Sequence, residues 1–560
     1  MYEQEVINIL NSLGVKTEGA NLEIPPQAEF GDLAFPCFGL AKIKNENPQK
    51  LAESIVKKIY ISKYPFLIKV EARSGYVNFF FYWGKIAEKT LQNIILGKKV
   101  GIGKGKRVMV EFSQPNPVHS MHIGHARGTF IGDALSNVFD FLGYKAIRAN
   151  YINDVGLQVA KLVTAYLHWA KRKKPKGKPD QWLWQLYVKF HEEAKNNPKL
   201  EDEAREILRK FEIERDKKIT KIWNRIVKWC VKGFEETYKN LGIKFNVYFY
   251  ESNYRESGKE IVYDALRKGI ATKSAEGTII TNLKNYGLPD TVMLRSDDTG
   301  LYITSDLGLT VYKFEKYKLD KSLWIVSSQQ SLHFKQLFKI LEELEYSWSE
   351  KYFHVPFEHV VLPEGKMSSR EGRAVMLDEV VNSLVKTAYD EVNKRSPKLS
   401  KNEKVRIANK VAIGALKYAI LKIEPNDSIV FNWKQMLRFE GNNAPYLQYA
   451  HTRCAGILRK AGRWNPIFFP SKLEDVEKEL VRKLFEFRSV VGSVSKDFKP
   501  SYICNYIYDL ATVFDRFYEA CPVLKAEDKT RNFRLALVQA TKIILKEALN
   551  LIGIEALEKM

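Results

Sequence analysis

The strongest constraint on the fold is an apolar strand that runs through a short loop into a long helix. Residues 108–112 read Val-Met-Val-Glu-Phe, the loop after them holds two prolines, and an apolar helical stripe covers residues 122–142. Gly143 fits the end of that helix, and residues 144–151 predict a second strand. A strand, a crossover helix and a further strand indicate the beginning of a parallel α/β sheet.

The helix begins with His122-Ile123-Gly124-His125. Free N–H groups and the helix dipole favour a phosphate at such a position, and Gly124 lets a flat base lie against the backbone. The two imidazoles can donate hydrogen bonds to phosphate oxygens as charge develops. Surface or capping histidines are the plainer interpretation. Zinc is a rival ligand, but histidines at i and i+3 need further ligands, and no carboxylate or cysteine has suitable spacing, so we predict no protein-bound metal.

A second segment, Lys366-Met367-Ser368-Ser369-Arg370, lies far downstream between Gly365 and Gly372. A lysine and two hydroxyls in a loop flanked by glycines can clamp a pyrophosphate leaving group. Taken alone, the segment is also compatible with an ordinary polar turn. Together with the histidines it predicts a site that binds ATP and attacks its α-phosphate.

The 560 residues predict about three or four domains. Residues 1–100 have the pattern of a small α/β domain, and residues 101–380 that of a Rossmann-type α/β catalytic domain. Long charged helices interrupt the catalytic domain at about 165–250 and predict a helical insertion, which carries a basic run at residues 171–178. Residues 381–560 show helical stripes throughout and predict an all-α domain.

The amino-acid composition restricts the classes of binding partner and the cellular compartment that we expect. Lysine and arginine exceed aspartate and glutamate by 23, which predicts a nucleic-acid partner rather than a membrane; a solvated lysine-rich surface is the alternative. The five cysteines are odd in number and lack metal-ligand spacing, which favours a reducing compartment. No apolar run approaches a membrane helix in length, and the first residues lack signal-peptide features, so we expect a cytoplasmic location and no membrane contact.

The two short segments resemble the HIGH and KMSKS signatures of class I aminoacyl-tRNA synthetases. Longer strings are similar to arginyl-tRNA synthetases in particular, and the resemblance covers essentially the whole chain. These strings are Val110-Glu111-Phe112-Ser113-Gln114-Pro115-Asn116-Pro117, Tyr151-Ile152-Asn153-Asp154-Val155-Gly156-Leu157-Gln158, Leu301-Tyr302-Ile303-Thr304-Ser305-Asp306-Leu307-Gly308, Ser328-Gln329-Gln330-Ser331-Leu332-His333 and Asn443-Ala444-Pro445-Tyr446-Leu447-Gln448-Tyr449-Ala450-His451.

The resemblance implies an arginine–tRNA ligase. Such an enzyme joins arginine to AMP with release of pyrophosphate and then transfers it to the terminal ribose of its tRNA, with tRNA needed for the first step. Magnesium would accompany ATP rather than occupy a protein cage. The resemblance also implies an N-terminal domain that contacts the tRNA elbow and a C-terminal anticodon-binding domain, and we expect a monomer.

A guanidinium needs a planar acidic pocket. The resemblance implies the arginine-binding residues Glu111, Asn116, Glu276, Tyr302, Asp306 and Gln330. In that set Asp306 and Tyr302 would bind the guanidinium, with Glu276 a weaker candidate, while Asn116 and Gln330 would hold the backbone end. Each has a plainer alternative: a structural ion pair for Glu111, a turn residue for Asn116, and helix caps for Asp306 and Gln330.

The resemblance also implies contacts with RNA. Asn78 and Phe81 correspond to positions that read the tRNA elbow, and Tyr446 and Tyr449 to positions that stack on the anticodon. Met560 would lie near the anticodon. The alternative for these aromatic residues is an ordinary place in the core. The basic run at 171–178 is expected either to contact the acceptor arm through phosphates or to be a solvated loop.

The chain departs from the family pattern in the second signature. Ser369 and Arg370 stand where a lysine and a serine are expected, and His119 and Ser120 stand where some relatives carry a compensating lysine. Our hypothesis is that Arg370 or His119 supplies the second cation on the triphosphate.

Three rival functions remain. A cysteinyl enzyme would show a zinc-binding cysteine set, and a leucyl enzyme would be much longer. An RNA-binding paralogue without activity would keep the charge but lose the site residues. A small nucleotidyltransferase would need neither an all-α domain nor the large positive charge.

Overall fold

The computed structural model describes residues 2–15, 22–97, 101–361, 375–430, 441–470 and 472–560. Three regions follow one another along these residues: a small α/β module, a larger region around a parallel sheet, and a bundle of helices. No helix in these ranges is long and apolar enough to cross a membrane.

The first module contains a three-stranded antiparallel sheet covered by helices. Its elements are α1 (Tyr2–Ser12), β1 (Leu33–Pro36), α2 (Phe38–Lys44), α3 (Pro48–Lys58), β2 (Leu67–Arg73), β3 (Tyr76–Phe81) and α4 (Trp83–Ile95). Strand β3 lies between β1 and β2. Asn47 caps α3, because its side-chain oxygen accepts bonds from the amides of Gln49 and Lys50. The aromatic-rich strand β3 is therefore the central strand of this sheet.

The second region is built on five parallel strands in the order β11-β10-β4-β5-β6. The strands are β4 (Arg107–Glu111), β5 (Lys145–Ile152), β6 (Val247–Tyr250), β10 (Lys321–Ser327) and β11 (Tyr352–Phe357). Helix α5 (Ile123–Phe141) connects β4 to β5, as the sequence predicts. The chain adds strands to one side of β4 and later to the other side. The carboxyl end of β4 is thus a topological switch point, where ligands bind in open α/β sheets.

Four helices lie between β5 and β6: α6 (Leu157–Trp169), α7 (Pro179–Asn196), α8 (Lys199–Glu212) and α9 (Lys217–Asn240). They begin somewhat earlier than the predicted insertion at about 165–250. Strand β6, which the predicted limits include, pairs with residues 149–152 of β5 and so belongs to the central sheet. A four-residue strand carries too little periodicity to separate it from the helices before it.

A small antiparallel sheet sits beside the parallel one. It consists of β7 (Ala271–Lys273), β8 (Ile279–Thr281) and β9 (Val292–Leu294), with α10 (Arg255–Arg267), α11 (Tyr302–Tyr317) and α12 (Ser331–Glu343) in the same part of the chain. These three strands form a sheet of their own, with β8 in the centre. Its apolar face packs on α10 and α11, and the shared core continues to the parallel strands.

The last region is helical. Its elements are β12 (Val360–Val361), α13 (Leu377–Arg395), α14 (Lys401–Leu421), β13 (Ile429–Val430), α15 (Ala444–Ala461), α16 (Asp475–Asp497), α17 (Ser501–Ala520) and α18 (Asp528–Leu551). The buried Lys417 of α14 donates to the carbonyl of Gly553 at 2.9 Å and lies 3.7 Å from Asp133 of α5. This contact fixes the bundle to the helix that begins with the histidines.

Candidate active site

Helix α5 begins with a reciprocal cap made by two imidazoles. The Gly124 amide donates to Nδ1 of His122, and the His122 amide donates to Nδ1 of His125, both at 3.1 Å. The ring centroids are 3.9 Å apart. Because each Nδ1 accepts a hydrogen bond, the proton of each neutral ring sits on Nε2. The start of the helix thus offers two Nε2–H donors next to its free amides.

Burial keeps both imidazoles neutral. It lowers the pKa of His122 to about 4, and it lowers the pKa of His125 well below the usual range, with the neighbouring histidines adding to the effect. At neutral pH the pair therefore donates hydrogen bonds without carrying positive charge. Such donors can stabilise charge that develops on a phosphate oxygen.

Carboxylates meet at the same edge of the sheet, at the carboxyl ends of β4, β5 and β6. Glu111 ends β4, Glu251 follows β6, and Asp306 lies on α11. Glu111 is 2% exposed and Glu251 is fully buried. The negative charge of Asp306 raises the pKa of both. Tyr151 of β5 lies among them and hydrogen-bonds Glu251. We call Glu111, Tyr151, Glu251 and Asp306 the acidic cup.

Burial disfavours ionisation of the Glu111 and Glu251 carboxyl groups in the acidic cup. It raises the pKa of Glu251 to about 8, although the Arg255 guanidinium at 3.6 Å opposes the shift. Burial also raises the pKa of Glu111, against the Lys313 ammonium that is paired with it. Lys313 is itself fully buried, 4.7 Å from the centre of the Trp324 ring. An entering guanidinium would favour the ionised carboxylates.

Residues of α11 and α12 form one wall of the candidate site. His333 Nε2 lies 2.7 Å from Asp306 Oδ2 and orients that carboxyl group. Tyr302, 57% exposed, stands four residues before Asp306, so the two share a face of α11. Gln330 is exposed at the N-cap position of α12 and its side chain forms no capping bond.

Asn116 occupies a turn between its two prolines. Its carbonyl accepts a bond from the Val118 amide at 2.7 Å, as the turn alternative expects. Its side-chain oxygen, however, is buried and has no hydrogen-bond partner among the described residues. A buried acceptor without a partner is costly, so a ligand that donates to it would be favoured. Glu111 likewise forms the ion pair that its structural alternative expects, with Lys313, and it also belongs to the acidic cup.

Glu276 is carried by the small antiparallel sheet and not by the parallel one. It lies exposed in the turn between β7 and β8. No role was predicted from the sequence for four residues that lie in or against the acidic cup, namely Tyr151, Glu251, Lys313 and His333. For Glu251 a usable signal existed: it follows the apolar and aromatic strand β6 directly, just as Glu111 ends β4 at the same edge.

The segment Lys366-Met367-Ser368-Ser369-Arg370 lies outside the described residues. The residues after it can be placed. The Ile123 amide donates to the Val375 carbonyl, and the Leu377 amide donates to the Met121 carbonyl, both at 3.0 Å. The chain that leaves the second signature thus pairs directly with the chain that carries the first.

The residues predicted to contact RNA differ in accessibility. Asn78 and Phe81 of β3 are buried, at 4% and 6% exposure. The Tyr446 hydroxyl donates to Asp515 at 2.8 Å, whereas Tyr449 is 45% exposed under the Arg453 guanidinium, which lies 5.0 Å from its ring centre.

Two further predicted RNA contacts lie at the chain end and in the insertion. The Met560 carbonyl accepts a bond from Ser396 at 3.1 Å. In the basic run, Lys171, Lys173 and Lys176 are exposed and Lys178 is partly buried. Among the described residues, no group of three or more histidine, cysteine or acidic side chains is arranged to hold a metal ion.

Comparison with known proteins identifies three family domains in the chain. A class I tRNA synthetase catalytic domain of the arginine type matches residues 89–433, a DALR anticodon-binding domain matches 447–560, and an arginyl-tRNA synthetase N-terminal domain matches 1–81. The parallel sheet, the histidines at its switch point and the helical bundle therefore define a class I aminoacyl-tRNA synthetase.

The similarity extends over full-length relatives. The chain is 38% identical to an arginine–tRNA ligase of Halothermothrix orenii over 98% of this chain and 97% of that protein, and 34% identical to one of Clostridium acetobutylicum over 99% of each. Thermus thermophilus arginyl-tRNA synthetase has a similar structure, with a TM-score of 0.84, 25% identity and coverage of 100% and 99%. The chain belongs to the arginyl-tRNA synthetase family.

Proposed function

We propose that the protein charges tRNA with arginine in two steps. A carboxylate oxygen of arginine attacks the α-phosphorus of ATP, the bond to the bridging oxygen breaks, and pyrophosphate leaves. A hydroxyl of the terminal ribose of tRNA then attacks the arginyl carbonyl, and AMP leaves. One observation carries the proposal: neutral histidine donors and an acidic cup share the carboxyl edge of one parallel sheet, on either side of the segment 112–121.

At the nucleotide end, His122 and His125 donate from Nε2 to phosphate oxygens, and Gly124 lets the base approach the backbone. Lys366, with Met367, Ser368, Ser369 and Arg370, would stabilise the leaving pyrophosphate. Magnesium would accompany ATP and would offset part of the phosphate charge. The pairing of Met121 and Ile123 with residues 375–377 supports the proximity of the two signatures.

At the arginine end, Asp306 and Tyr302 bind the guanidinium and His333 orients Asp306. The buried carboxylates of Glu111 and Glu251 add negative charge. Asn116 offers its unpartnered oxygen to the α-amino group, and Gln330 stands at the adjacent helix start. Glu276 stays a weaker candidate, because it is exposed in a hairpin turn of the small antiparallel sheet.

The second cation on the triphosphate is proposed to be Arg370 or His119. His119 packs edge-on against Tyr187 and lies close enough to lower the pKa of His125. Replacing each residue with alanine and measuring arginine-dependent pyrophosphate exchange separates the two. Unchanged kinetics in both variants would refute the assignment.

The RNA contacts are proposals of unequal support. Exposed Tyr449 is placed to stack on an unpaired base, and Tyr446 and Met560 belong to the same helical domain. Asn78 and Phe81 would have to act from a buried strand. We further propose domain limits of 1–100, 101–380 and 381–560, a monomeric state, a cytoplasmic location, and a requirement for tRNA in the activation step.

The test is a charging assay with purified protein, ATP and labelled arginine, in the presence and absence of its tRNA. We expect label on the RNA only with ATP and arginine present, and pyrophosphate exchange only when tRNA is added. Folded protein that transfers no label to RNA would refute the ligase proposal. Exchange at full rate without tRNA would refute only the order of binding.

A further inference from the structure

The segment that carries the histidines is held from behind by a buried polar network. Its members come from the loop before α5, from α9, from α13 and from the start of α7. We call it the anchor network; it consists of Ser120, Lys178, Asp180, Thr237 and Asp378. None of its members is assigned to the reaction in the proposed function.

Asp180 is the part that touches the histidine segment. Its side chain is fully buried in the first turn of α7 and accepts a hydrogen bond from the Ser120 hydroxyl at 2.9 Å. Ser120, 1% exposed, is two residues before His122. The second oxygen of Asp180 has no hydrogen-bond partner among the described residues. A buried carboxylate with one unbonded oxygen lowers the stability of the fold unless a cation offsets its charge.

Lys178 supplies the cation and joins Asp180 to the helical region. Its ammonium lies 3.3 Å from Asp180 and also contacts Asp378 and the Thr237 hydroxyl. Thr237 in turn donates to Asp378 at 3.1 Å. Asp378 stands in the first turn of α13, where the helix dipole favours an anion.

The contacts close into a ring. Asp378 follows Leu377, whose amide bonds the carbonyl of Met121, and Met121 follows Ser120. Starting at Ser120, the path therefore runs through Asp180, Lys178 and Asp378 and returns to the neighbouring residue. A closed ring of charged contacts resists displacement of any one member, because a shift of one strains all of the others.

Helix α9 packs closely against the ring. Helix α9 passes Asp180 at Gly233, where an added Cβ would lie 2.2 Å from a carboxylate oxygen. Glycine at this position allows the helix to approach the carboxylate. The insertion is thereby held against the loop before α5 at one defined distance.

We propose that the anchor network positions the His122 and His125 imidazoles for ATP, and that Asp180, Lys178 and Asp378 are positioning residues of the nucleotide site. This inference rests on the proposed function of the histidines. Reactions of this kind are sensitive to small displacements, since misplacement by about 1 Å can cost about a hundredfold in rate. The network bonds Ser120 of the histidine segment, and its described hydrogen bonds and ion pairs include no member of the acidic cup, so we expect it to affect ATP more than arginine.

The variants that test this are Asp180→Asn, Lys178→Met and Asp378→Asn, with Gly233→Ala to displace Asp180 without removing a charge. In arginine-dependent pyrophosphate exchange with tRNA present, we expect the KM for ATP to rise about tenfold, within the range expected for misplaced groups. The KM for arginine should change less than about twofold. Combining Lys178→Met with Asp378→Asn should cost less than the product of the two single effects, because both break one unit.

The matched control is Lys161→Met. Lys161 pairs with Glu201 at 2.7 Å and joins α6 to α8 within the same insertion, with side-chain exposures of 13% and 29%, near the 14% and 18% of Lys178 and Asp378. It should lower thermal stability to a similar degree and leave the KM for ATP unchanged. An equal rise in the KM for ATP in Lys161→Met would overturn the proposal, since general loosening of the insertion would then explain the effect.

A second readout does not depend on activity. The ring signals of His122 and His125 in a carbon–proton NMR spectrum, assigned with His→Asn variants, should shift in Asp378→Asn and stay in place in Lys161→Met. Asp378→Asn keeps the shape of the side chain, so it remains the informative variant where Lys178→Met does not fold. Unmoved ring signals and an unchanged KM for ATP in folded Asp180→Asn and Asp378→Asn would overturn the inference. Absence of exchange in the wild-type protein would overturn the proposed function instead.

Discussion

The two ends of the candidate site share one sheet edge but respond to burial in opposite ways. At the nucleotide end, burial lowers the pKa of His122 to about 4, so the ring is a neutral donor. In the acidic cup, burial raises the pKa of Glu251 to about 8, so ionisation is opposed. Desolvation disfavours charge in both places. Desolvation therefore favours the neutral histidines that donate hydrogen bonds, and it disfavours the ionised carboxylates that would bind a guanidinium.

The difference shows which half needs its ligand. The histidines bond each other and the start of α5, and the anchor network holds them from behind, so the histidine part of the nucleotide end is formed before ATP arrives. The acidic cup holds Glu111 and Glu251, whose ionisation burial disfavours, and Asn116, outside the cup, has a buried side-chain oxygen without a hydrogen-bond partner among the described residues. A guanidinium and an α-amino group would satisfy these groups, so part of the binding energy of arginine goes into ionising the cup.

The largest effect is expected in the acidic cup, for Asp306→Asn. Removing this charge should lower kcat/KM for arginine about a thousandfold, because breaking a buried ion pair costs about 3–5 kcal/mol. The KM for ATP should stay within about threefold. Steady-state pyrophosphate exchange measures both. Asp298→Asn, an exposed aspartate paired with Lys259 in the same region, serves as the control. A loss below about tenfold would mean that Asp306 is not the guanidinium partner.

Next is His125→Asn at the nucleotide end. Asparagine keeps an acceptor for the His122 amide and removes the Nε2–H donor, so kcat should fall about a hundredfold, as for loss of one preorganised donor. Because the ring is neutral, the ratio of wild type to variant should be flat between pH 6 and 8. His168→Asn, an exposed histidine of the insertion, is the control. A ratio that grows as pH falls would show that the imidazolium is the active form. The contrast between neutral donors at the nucleotide end and charged groups in the acidic cup would then be wrong.

Lys313→Met sharpens the comparison through Glu111. Without the ammonium, only the hydrogen bond from Gln114 still opposes the burial that raises the pKa of Glu111, so that pKa rises further. The carboxylate is then protonated over a wider range, and the acid limb of kcat/KM for arginine should move to higher pH. The KM for arginine should rise about tenfold, and Lys313→Arg should restore most of it. A pH profile unchanged in the folded variant would contradict this role.

The smallest effect concerns stability, and the two ends should slope in opposite directions with pH. His122 has a lowered pKa in the folded state, so its contribution is present above about pH 6.5 and is lost as pH falls toward 4. Glu251 has a raised pKa, so its contribution is present below about pH 4.5 and is lost as pH rises through about 8. The sign of each slope follows from which state binds more protons.

Thermal unfolding of His122→Asn and Glu251→Gln, compared with wild type across pH 4 to 8, measures these slopes. The midpoint difference should shrink toward acid for the first variant and toward base for the second, by a few degrees. Glu260→Gln, on an exposed face of α10, is the control. Slopes of the same sign would remove the basis of the comparison.

Local patterns predicted the parts of the fold that consecutive residues build. The strand at 108–112, the helix from His122 and the strand after Gly143 follow from apolar period and turn residues, and the structure contains all three as β4, α5 and β5. Burial at β3 could not be read from the sequence in this way: Asn78 and Phe81 stand three positions apart, on opposite faces of the strand, and both are buried. That strand is central in its sheet and covered by helices, so position along the strand does not separate inside from outside.

Pairing over long distances decided the composition of the site. Glu276 and Glu251 are both carboxylates after or between short strands, and only the folded chain shows that Glu251 lies at the parallel edge beside Glu111 and Asp306. Lys313 looks like one more charge on a helix until the fold buries it against Trp324.

By itself the sequence determined the residue types at both signatures, the cap that begins α5, and the order of an α/β module, a parallel sheet and a helical bundle. These depend on spacing within a few turns or strands of chain. Tertiary structure decided which carboxylates form the acidic cup and that Ser120, Lys178 and Asp378 meet around Asp180. Such contacts join segments more than fifty positions apart, and they exist only because burial in one core sets both the distances and the charge states of the groups it encloses.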